Sequence, residues 1–137
     1  MNVSKYMTQK LITATPTMSV KQAFLLMRSH RVRHIPVVEG EQLVGIISDR
    51  DLRRPRWAEQ LDDWTSYYQI DDTHTVSDVM TRTPETVRAS DDIVKAVRIL
   101  REQRYGALPV LNKDGELVGI LSAQDLLGAL EEFLARA

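Results

Sequence analysis

Leu43-Val44-Gly45-Ile46-Ile47-Ser48-Asp49-Arg50-Asp51-Leu52 is written a second time as Leu117-Val118-Gly119-Ile120-Leu121-Ser122-Ala123-Gln124-Asp125-Leu126. Working outward from this word, Pro36-Val37 recurs as Pro109-Val110, and Val3-Ser4-x-x-Met7-Thr8 recurs as Val76-Ser77-x-x-Met80-Thr81. The outer words repeat at an offset of 73 residues and the inner one at 74, so the second copy carries one extra residue near Asn112 to Gly115. A fixed internal period means one structural unit used twice. Two such units facing each other would make a cleft, and a cleft lined by two copies of one polar signature is a candidate binding site.

Each copy reads in the same order. Leu11 to Ala14 is short and partly β-branched, a strand pattern. Ser19-x-x-Gln22 is a capping-box pattern that opens a helix. Val20, Ala23, Phe24 and Met27 then fall on one helical face, as do Ile93, Ala96, Val97 and Leu100 in the second copy. His34 to Val38 and Ala107 to Leu111 read as strands, with Pro36 near an edge or a strand start. The turn Glu39 to Gln42 matches Asn112-Lys113-Asp114-Gly115, where Asp-Gly is a hairpin signal. Leu43 to Ser48 reads as a buried strand and Leu117 to Ser122 as a strand, each followed by a helix. The last helix carries the stripe Leu126, Leu127, Leu130, Phe133 and Leu134. The expected fold class is α+β, each unit running strand, helix, strand, strand, helix. A single unit is too small to be comfortable alone, so the copies should pack together.

The division by repeat is residues 1–53, a connecting segment 54–75, and residues 76–137 with the extended C-terminal helix. The connecting segment holds Trp57, Trp64, Tyr67 and Tyr68, half of the eight aromatic residues. A flexible linker would be rich in Gly and Ser instead. The expectation is that this segment covers an edge of its own domain; a partner or dimer surface is the other reading.

Composition excludes several function classes. The chain has 137 residues, 43% hydrophobic and 27% charged, which is globular rather than disordered. A formal net charge of −1 removes the main electrostatic argument for nucleic-acid binding. The absence of cysteine excludes disulfides, thiol catalysis and cysteine-bound zinc. No apolar run approaches membrane-spanning length, and the first repeat begins at Val3, leaving no room for a signal peptide. A cytoplasmic protein is the expectation. His30, His34 and His74 show no metal-site spacing, so no metal is expected. No P-loop, Gly-x-Ser-x-Gly or acid/base pair points to catalysis.

The repeated word itself suits a nucleoside phosphate. Gly45 permits close backbone approach. A helix start offers N–H groups to a phosphate. Ser48 can donate its hydroxyl, and the two oxygens of Asp51 can accept both hydroxyls of a ribose diol. Ser-x-x-Asp is also a variant capping box, with Ser48 at the N-cap and Asp51 answering. Recurrence at Ser122 and Asp125 does not decide between these readings, because both would repeat. Met7 and Met80 read as core fillers. Arg28 and Arg31 read as solvated cations at a helix end.

The tandem order Met-Thr, Pro-Val, then Leu-Val-Gly-Ile-x-Ser-x-x-Asp-Leu resembles the CBS domain, the regulatory module named after cystathionine β-synthase, over about Val3 to Leu127. Two copies resemble a CBS pair, or Bateman module. The resemblance implies two βαββα-type repeats packed sheet to sheet with pseudo-twofold symmetry, and a ligand cleft at each end of that interface. It implies an adenosyl ligand such as AMP, ADP, ATP or S-adenosylmethionine, with no required cofactor. It further implies a homodimer that regulates another protein without catalysis. Carried over by position, Asp51 and Asp125 match the ribose-binding Asp, and Ser48 and Ser122 the hydroxyl position. Arg33 and His34 match positions that touch phosphates, whereas their counterparts Gly106 and Ala107 carry no charge. Ile12, Thr13, Glu85 and Thr86 match the segment that lines the base pocket. With Arg33, His34 and Arg50 beside Asp51, but Ala123 and Gln124 beside Asp125, phosphorylated ligands are expected to bind more tightly at the first. The other class of function is a ligand-independent dimerisation scaffold, in which Ser-x-x-Asp is only a cap.

Overall fold

The computed structural model describes residues 1–53 and 74–137. The aromatic expectation for Trp57, Trp64, Tyr67 and Tyr68 lies outside the described residues. The chain forms two compact units, residues 12–83 and residues 1–11 with 84–137. They are called here the Asp51 unit and the Asp125 unit.

In the Asp51 unit, α2 (Val20–His30) starts at Ser19, whose hydroxyl accepts from the Gln22 N–H at 3.0 Å while Gln22 answers at 3.2 Å. This is the capping box the sequence predicts. Val20, Ala23, Phe24 and Met27 are all buried, so the predicted apolar face is the face that packs. Arg31 ends the helix in the left-handed conformation at φ 55°. β1 (His34–Glu39) and β2 (Gln42–Ser48) then pair antiparallel, joined through a turn in which Gly40 has φ 62°. α3 (Asp49–Arg53) follows directly. Pro36 lies inside β1, which is tolerated because β1 is the outer strand of its sheet.

The Asp125 unit repeats this plan. α5 (Ile93–Gln103) is capped by Asp92, whose carboxylate accepts from the Val94 N–H at 2.9 Å. β5 (Ala107–Leu111) and β6 (Leu117–Ser122) form the hairpin. Gly115, at φ 83°, closes its turn, and the Asn112 side chain accepts from the N–H groups of Asp114 and Glu116 at 2.9 Å each. α6 (Ala123–Arg136) runs to the C-terminus. β4 (Val87–Arg88) pairs parallel with β5.

Two expectations change. Leu11 to Ala14 is not a strand; only Ala14 makes a parallel bridge, to Val37. Its counterpart β4 is a strand of two residues. A segment this short gains too few ladder bonds to register as a strand in both copies. The buried strand expected over Leu43 to Ser48 is half-buried in alternation, with Gly45 and Ile47 buried.

The packing partners do not follow the order of the repeat. The Val-Ser-x-x-Met-Thr word forms a single helical turn, α1 (Val3–Tyr6) in one copy and α4 (Val76–Val79) in the other. Each turn packs with the opposite copy's hairpin. Val3 donates to the Asp91 carbonyl at 2.9 Å and Thr8 to the Ile120 carbonyl at 2.8 Å, inside the Asp125 unit. Val76 donates to the Met18 carbonyl at 2.8 Å, inside the Asp51 unit. There β3 (Thr81–Arg82) pairs antiparallel with β2. The spatial units therefore differ from the sequence division into 1–53, 54–75 and 76–137. The period records how the chain was built, whereas packing is decided by which hairpin leaves an edge open. An open edge on β2 or β6 would leave backbone groups unpaired.

The exchange explains a glycine. A Cβ on Gly45 would lie 2.7 Å from the Met80 sulfur and 2.9 Å from the Thr81 carbonyl oxygen. On Gly119 it would lie 2.7 Å from the Met7 sulfur and 3.0 Å from the Thr8 carbonyl oxygen. The sequence reading gives this glycine to a ligand; the structure fills the space with the exchanged Met-Thr segment. Met7 and Met80 each pack, partly buried, against the core of the unit they visit.

Candidate functional site

The strand-to-helix junction positions the candidate residues. At the end of β2 the Ser48 N–H donates to Asp51 Oδ2 at 2.9 Å, and the Asp51 N–H donates to Ser48 Oγ at 3.1 Å. At the end of β6 the Ser122 N–H donates to Asp125 Oδ2 at 2.9 Å, and the Asp125 N–H donates to Ser122 Oγ at 3.1 Å. Both Ser-x-x-Asp words are thus closed capping boxes of the same geometry. The capping reading holds in both copies. It does not consume the carboxylates, because an ionised Asp has about four acceptor positions.

The junction's backbone is less open to an anion than the sequence suggests. The Asp49 N–H donates to the Arg33 carbonyl at 2.8 Å, and the Ala123 N–H to the Gly106 carbonyl at 2.9 Å. With the Asp51 and Asp125 N–H groups also bonded, two donors of each first turn are already satisfied. Fewer backbone donors are therefore left for an anion, and side chains would have to supply the rest.

The hairpin register brings those side chains together in one unit only. His34 stands opposite Ser48 across β1 and β2. Arg33 precedes it, and Asp49, Arg50 and Asp51 follow Ser48. His34 is half-buried, and burial holds its imidazole below the ordinary value of 6.5. Asp49 and Asp51 pull it upward, and Arg33 pushes it down. In the other unit Ala107 stands opposite Ser122, so the same register place carries no titratable group.

Beside this cluster the end of α2 forms a cavity of about 270 Å³, lined by Phe24, Met27, Arg28, Arg31, Val32, Arg33 and Asp49. Arg28 and Arg31, read from sequence as a solvated helix end, line it with Arg33. The Arg28 guanidinium lies 5.9 Å from the centre of the Phe24 ring.

Of the remaining sequence candidates, Ile12 and Thr13 are half-buried in the Asp51 unit, just before the Ala14 bridge. Glu85 is exposed and Thr86 half-buried in the Asp125 unit, just before β4. The sequence reading missed Thr8. Its hydroxyl donates to Asp125 Oδ1 at 3.1 Å across 117 residues of chain. The recurrence of Met-Thr was the available signal, but period alone does not say where a segment docks.

Among the described residues no helix is long and apolar enough to cross a membrane, and no three His, Asp or Glu side chains gather as a metal site.

Comparison with known proteins shows the family. The sequence model of the CBS domain matches residues 3–56 and 76–132. A CBS domain-containing protein of Dictyostelium discoideum is 31% identical over 137 residues, covering 96% of this chain and 92% of the relative. Inosine-5'-monophosphate dehydrogenase of Korarchaeum cryptofilum is 31% identical over 121 residues, but the chain spans 88% of its own length and only 22% of that enzyme. The crystal structure of the CBS-pair protein CBSX2 from Arabidopsis thaliana is similar at a TM-score of 0.84 and 31% identity, covering 99% of this chain and 98% of that one. A structure of CBSX2 in complex with AMP matches at a TM-score of 0.80 and 31% identity, over 96% and 97% of the two chains. Two matched repeats, two three-stranded sheets with their helices, and a relative covered almost end to end lead to one statement: the chain belongs to the CBS domain family, of which it carries two copies.

Proposed function

We propose that this chain is a non-catalytic sensor whose ligand is an adenine nucleotide or related adenosyl compound. AMP is the first candidate, ahead of ADP, ATP and S-adenosylmethionine. The observation that carries the reading is the Asp51 carboxylate. Its Oδ2 accepts from Ser48, and among the described residues Oδ1 has no partner. It stands beside Arg33, His34 and Arg50, whose donors and charge suit a phosphate. The similarity to CBSX2, which has a structure with AMP, supports adenosine over other nucleosides. In this reading Asp51 takes the ribose diol, Ser48 positions Asp51, and Arg33, His34 and Arg50 meet the phosphate. Ile12 and Thr13 line the base in one unit; Glu85, Thr86, Ser122 and Asp125 hold the corresponding places in the other. The dehydrogenase relative lends no activity, because the match covers 22% of it.

Signalling in this reading is a population shift, set by the ligand's differential affinity for two packings of the chain or of its dimer. The surface we assign to the second copy is the exposed face of α6. Leu127, Leu130, Phe133 and Leu134 are 57%, 49%, 68% and 59% exposed, and α6 has no buried residue. A contiguous apolar patch of this kind usually marks an interaction site. A cytoplasmic location belongs to the same reading, as does a regulated partner protein of unknown identity.

The test is a thermal-shift panel of AMP, ADP, ATP, S-adenosylmethionine, NAD and GTP on wild type and Asp51→Asn. A ligand at a hundred times its Kd adds about 2.7 kcal/mol, or about 10 °C for a chain of this size. A shift for an adenosyl ligand, lost in Asp51→Asn, supports the sensor. No shift for any ligand favours the second reading, a ligand-independent scaffold, for which the two closed capping boxes speak.

A further inference from the structure

The two strand-to-helix junctions share one motif and one capping box, yet among the described residues one hydrogen bond is made at the Asp125 junction and not at the Asp51 junction. In the Asp125 unit, Thr8 is pinned to β6 by paired backbone bonds, Thr8 N–H to the Ile120 carbonyl at 2.8 Å and Ile120 N–H to the Thr8 carbonyl at 3.0 Å. From that fixed place its hydroxyl reaches Asp125 Oδ1 at 3.1 Å. Asp125 is then engaged at both oxygens, by Ser122 on Oδ2 and by Thr8 on Oδ1. In the Asp51 unit the matching residue Thr81 pairs with Ile46 in the matching register. Among the described residues its hydroxyl makes no bond to Asp51, and Asp51 Oδ1 accepts from none of them.

We infer that Thr8 is a built-in competitor for the diol-binding carboxylate of Asp125, and that it sets the chain to one working ribose site, at Asp51. The inference rests on the reading that these carboxylates take a ribose. A ribose hydroxyl approaching Asp51 Oδ1 meets an acceptor with no donor in place among the described residues. The same hydroxyl approaching Asp125 must displace the Thr8 donor or share its oxygen. The Thr8 hydroxyl has the same chemistry as the hydroxyls it excludes, an O–H donor to a carboxylate, so it occupies the acceptor without strain. One hydrogen bond to a charged group corresponds to about 10- to 100-fold in affinity. The absence of cations at Gly106 and Ala107 would weaken a phosphorylated ligand at Asp125 for a separate reason, so the probe must carry no phosphate.

The experiment is calorimetric titration of the full chain with adenosine, which has the ribose and base but no charge. Wild type is expected to bind one equivalent, lost in Asp51→Asn and kept in Asp125→Asn. Thr8→Val preserves the side chain's shape and removes the donor. It should add a second equivalent, bound about 10- to 100-fold more tightly than wild type binds at that site, and lost on adding Asp125→Asn. Thr8→Ser retains a hydroxyl and should return the count to one, which guards against an unfolding artefact in the valine variant. A parallel titration of wild type with AMP separates the two ideas. AMP binding with Thr8→Val still at one adenosine equivalent overturns the competitor and leaves the sensor standing. Two equal adenosine sites in wild type, or a single site lost in Asp125→Asn, does the same. No binding of AMP or adenosine by wild type overturns both.

Discussion

Replacing Gly45 by alanine tests the exchanged packing without any ligand. Two opposing effects decide the sign. Alanine in place of glycine narrows the unfolded ensemble, and this alone stabilises by about 0.4–1 kcal/mol where the backbone accepts it. Gly45 is not at positive φ, so the backbone accepts it. Against this, the new Cβ would sit 2.7 Å from the Met80 sulfur and 2.9 Å from the Thr81 carbonyl oxygen. The sulfur ends a flexible side chain and can move. The carbonyl belongs to β3, whose pairing with β2 must shift with it. Overpacking of this kind costs about 1–3 kcal/mol. The clash exceeds the entropic gain, leaving a net loss of about 0.5–2 kcal/mol. Urea denaturation of the ligand-free protein measures it as a lower midpoint with an unchanged slope. Gly45→Ala with Met80→Ala should show coupling, because shortening Met80 relieves the sulfur contact and leaves the carbonyl contact. If Gly45→Ala equals or exceeds wild type in stability, Met80 and Thr81 do not cross Gly45, and the exchange of the Met-Thr segments fails with it.

Removing the caps should act in both units alike. Ser48→Ala and Ser122→Ala each delete a hydroxyl that accepts a backbone N–H at 3.1 Å, and each should cost about 0.5–2 kcal/mol by denaturant titration; a neutral result at both would mean the boxes are not formed in solution. His34 sets a pH dependence. Its imidazole titrates below the ordinary 6.5 in the folded chain, so the unfolded chain takes up the proton first. Its contribution to stability is full above 6.5 and falls as pH drops from 6.5 through the lowered folded value. Comparing wild type with His34→Gln across that window isolates the contribution, and equal slopes would contradict it. A bound phosphate would favour the imidazolium, so AMP affinity should rise on acidification across the same window and not in His34→Gln.

The repeat, the helices and the hairpins are legible in the chain itself. The face Val20, Ala23, Phe24 and Met27 falls at helical spacing and is buried throughout, whereas in the second copy Ala96 and Leu100 are buried and Val97 is exposed. Ser19-x-x-Gln22 and Asp114-Gly115 mark a helix start and a turn through local bonds alone. Such features depend on neighbours within a few residues, which a sequence displays directly. The short strand expected at Leu11 to Ala14 was not legible, because two residues of pairing depend on what lies opposite rather than on propensity.

By itself the sequence determined that one α+β unit occurs twice, that Ser-x-x-Asp stands at each strand-to-helix junction, and that Arg33, His34 and Arg50 in one copy are matched by uncharged Gly106, Ala107 and Gln124 in the other. Tertiary structure alone decided that each Val-Ser-x-x-Met-Thr word serves the other copy's sheet, that Gly45 and Gly119 make room for that visit, and that among the described residues Thr8 holds Asp125 while Asp51 has no such donor. The reason is the range of the interactions. Capping and periodicity act over three or four residues. Thr8 and Asp125 meet across 117, and no local pattern encodes which of two equivalent edges a segment will choose.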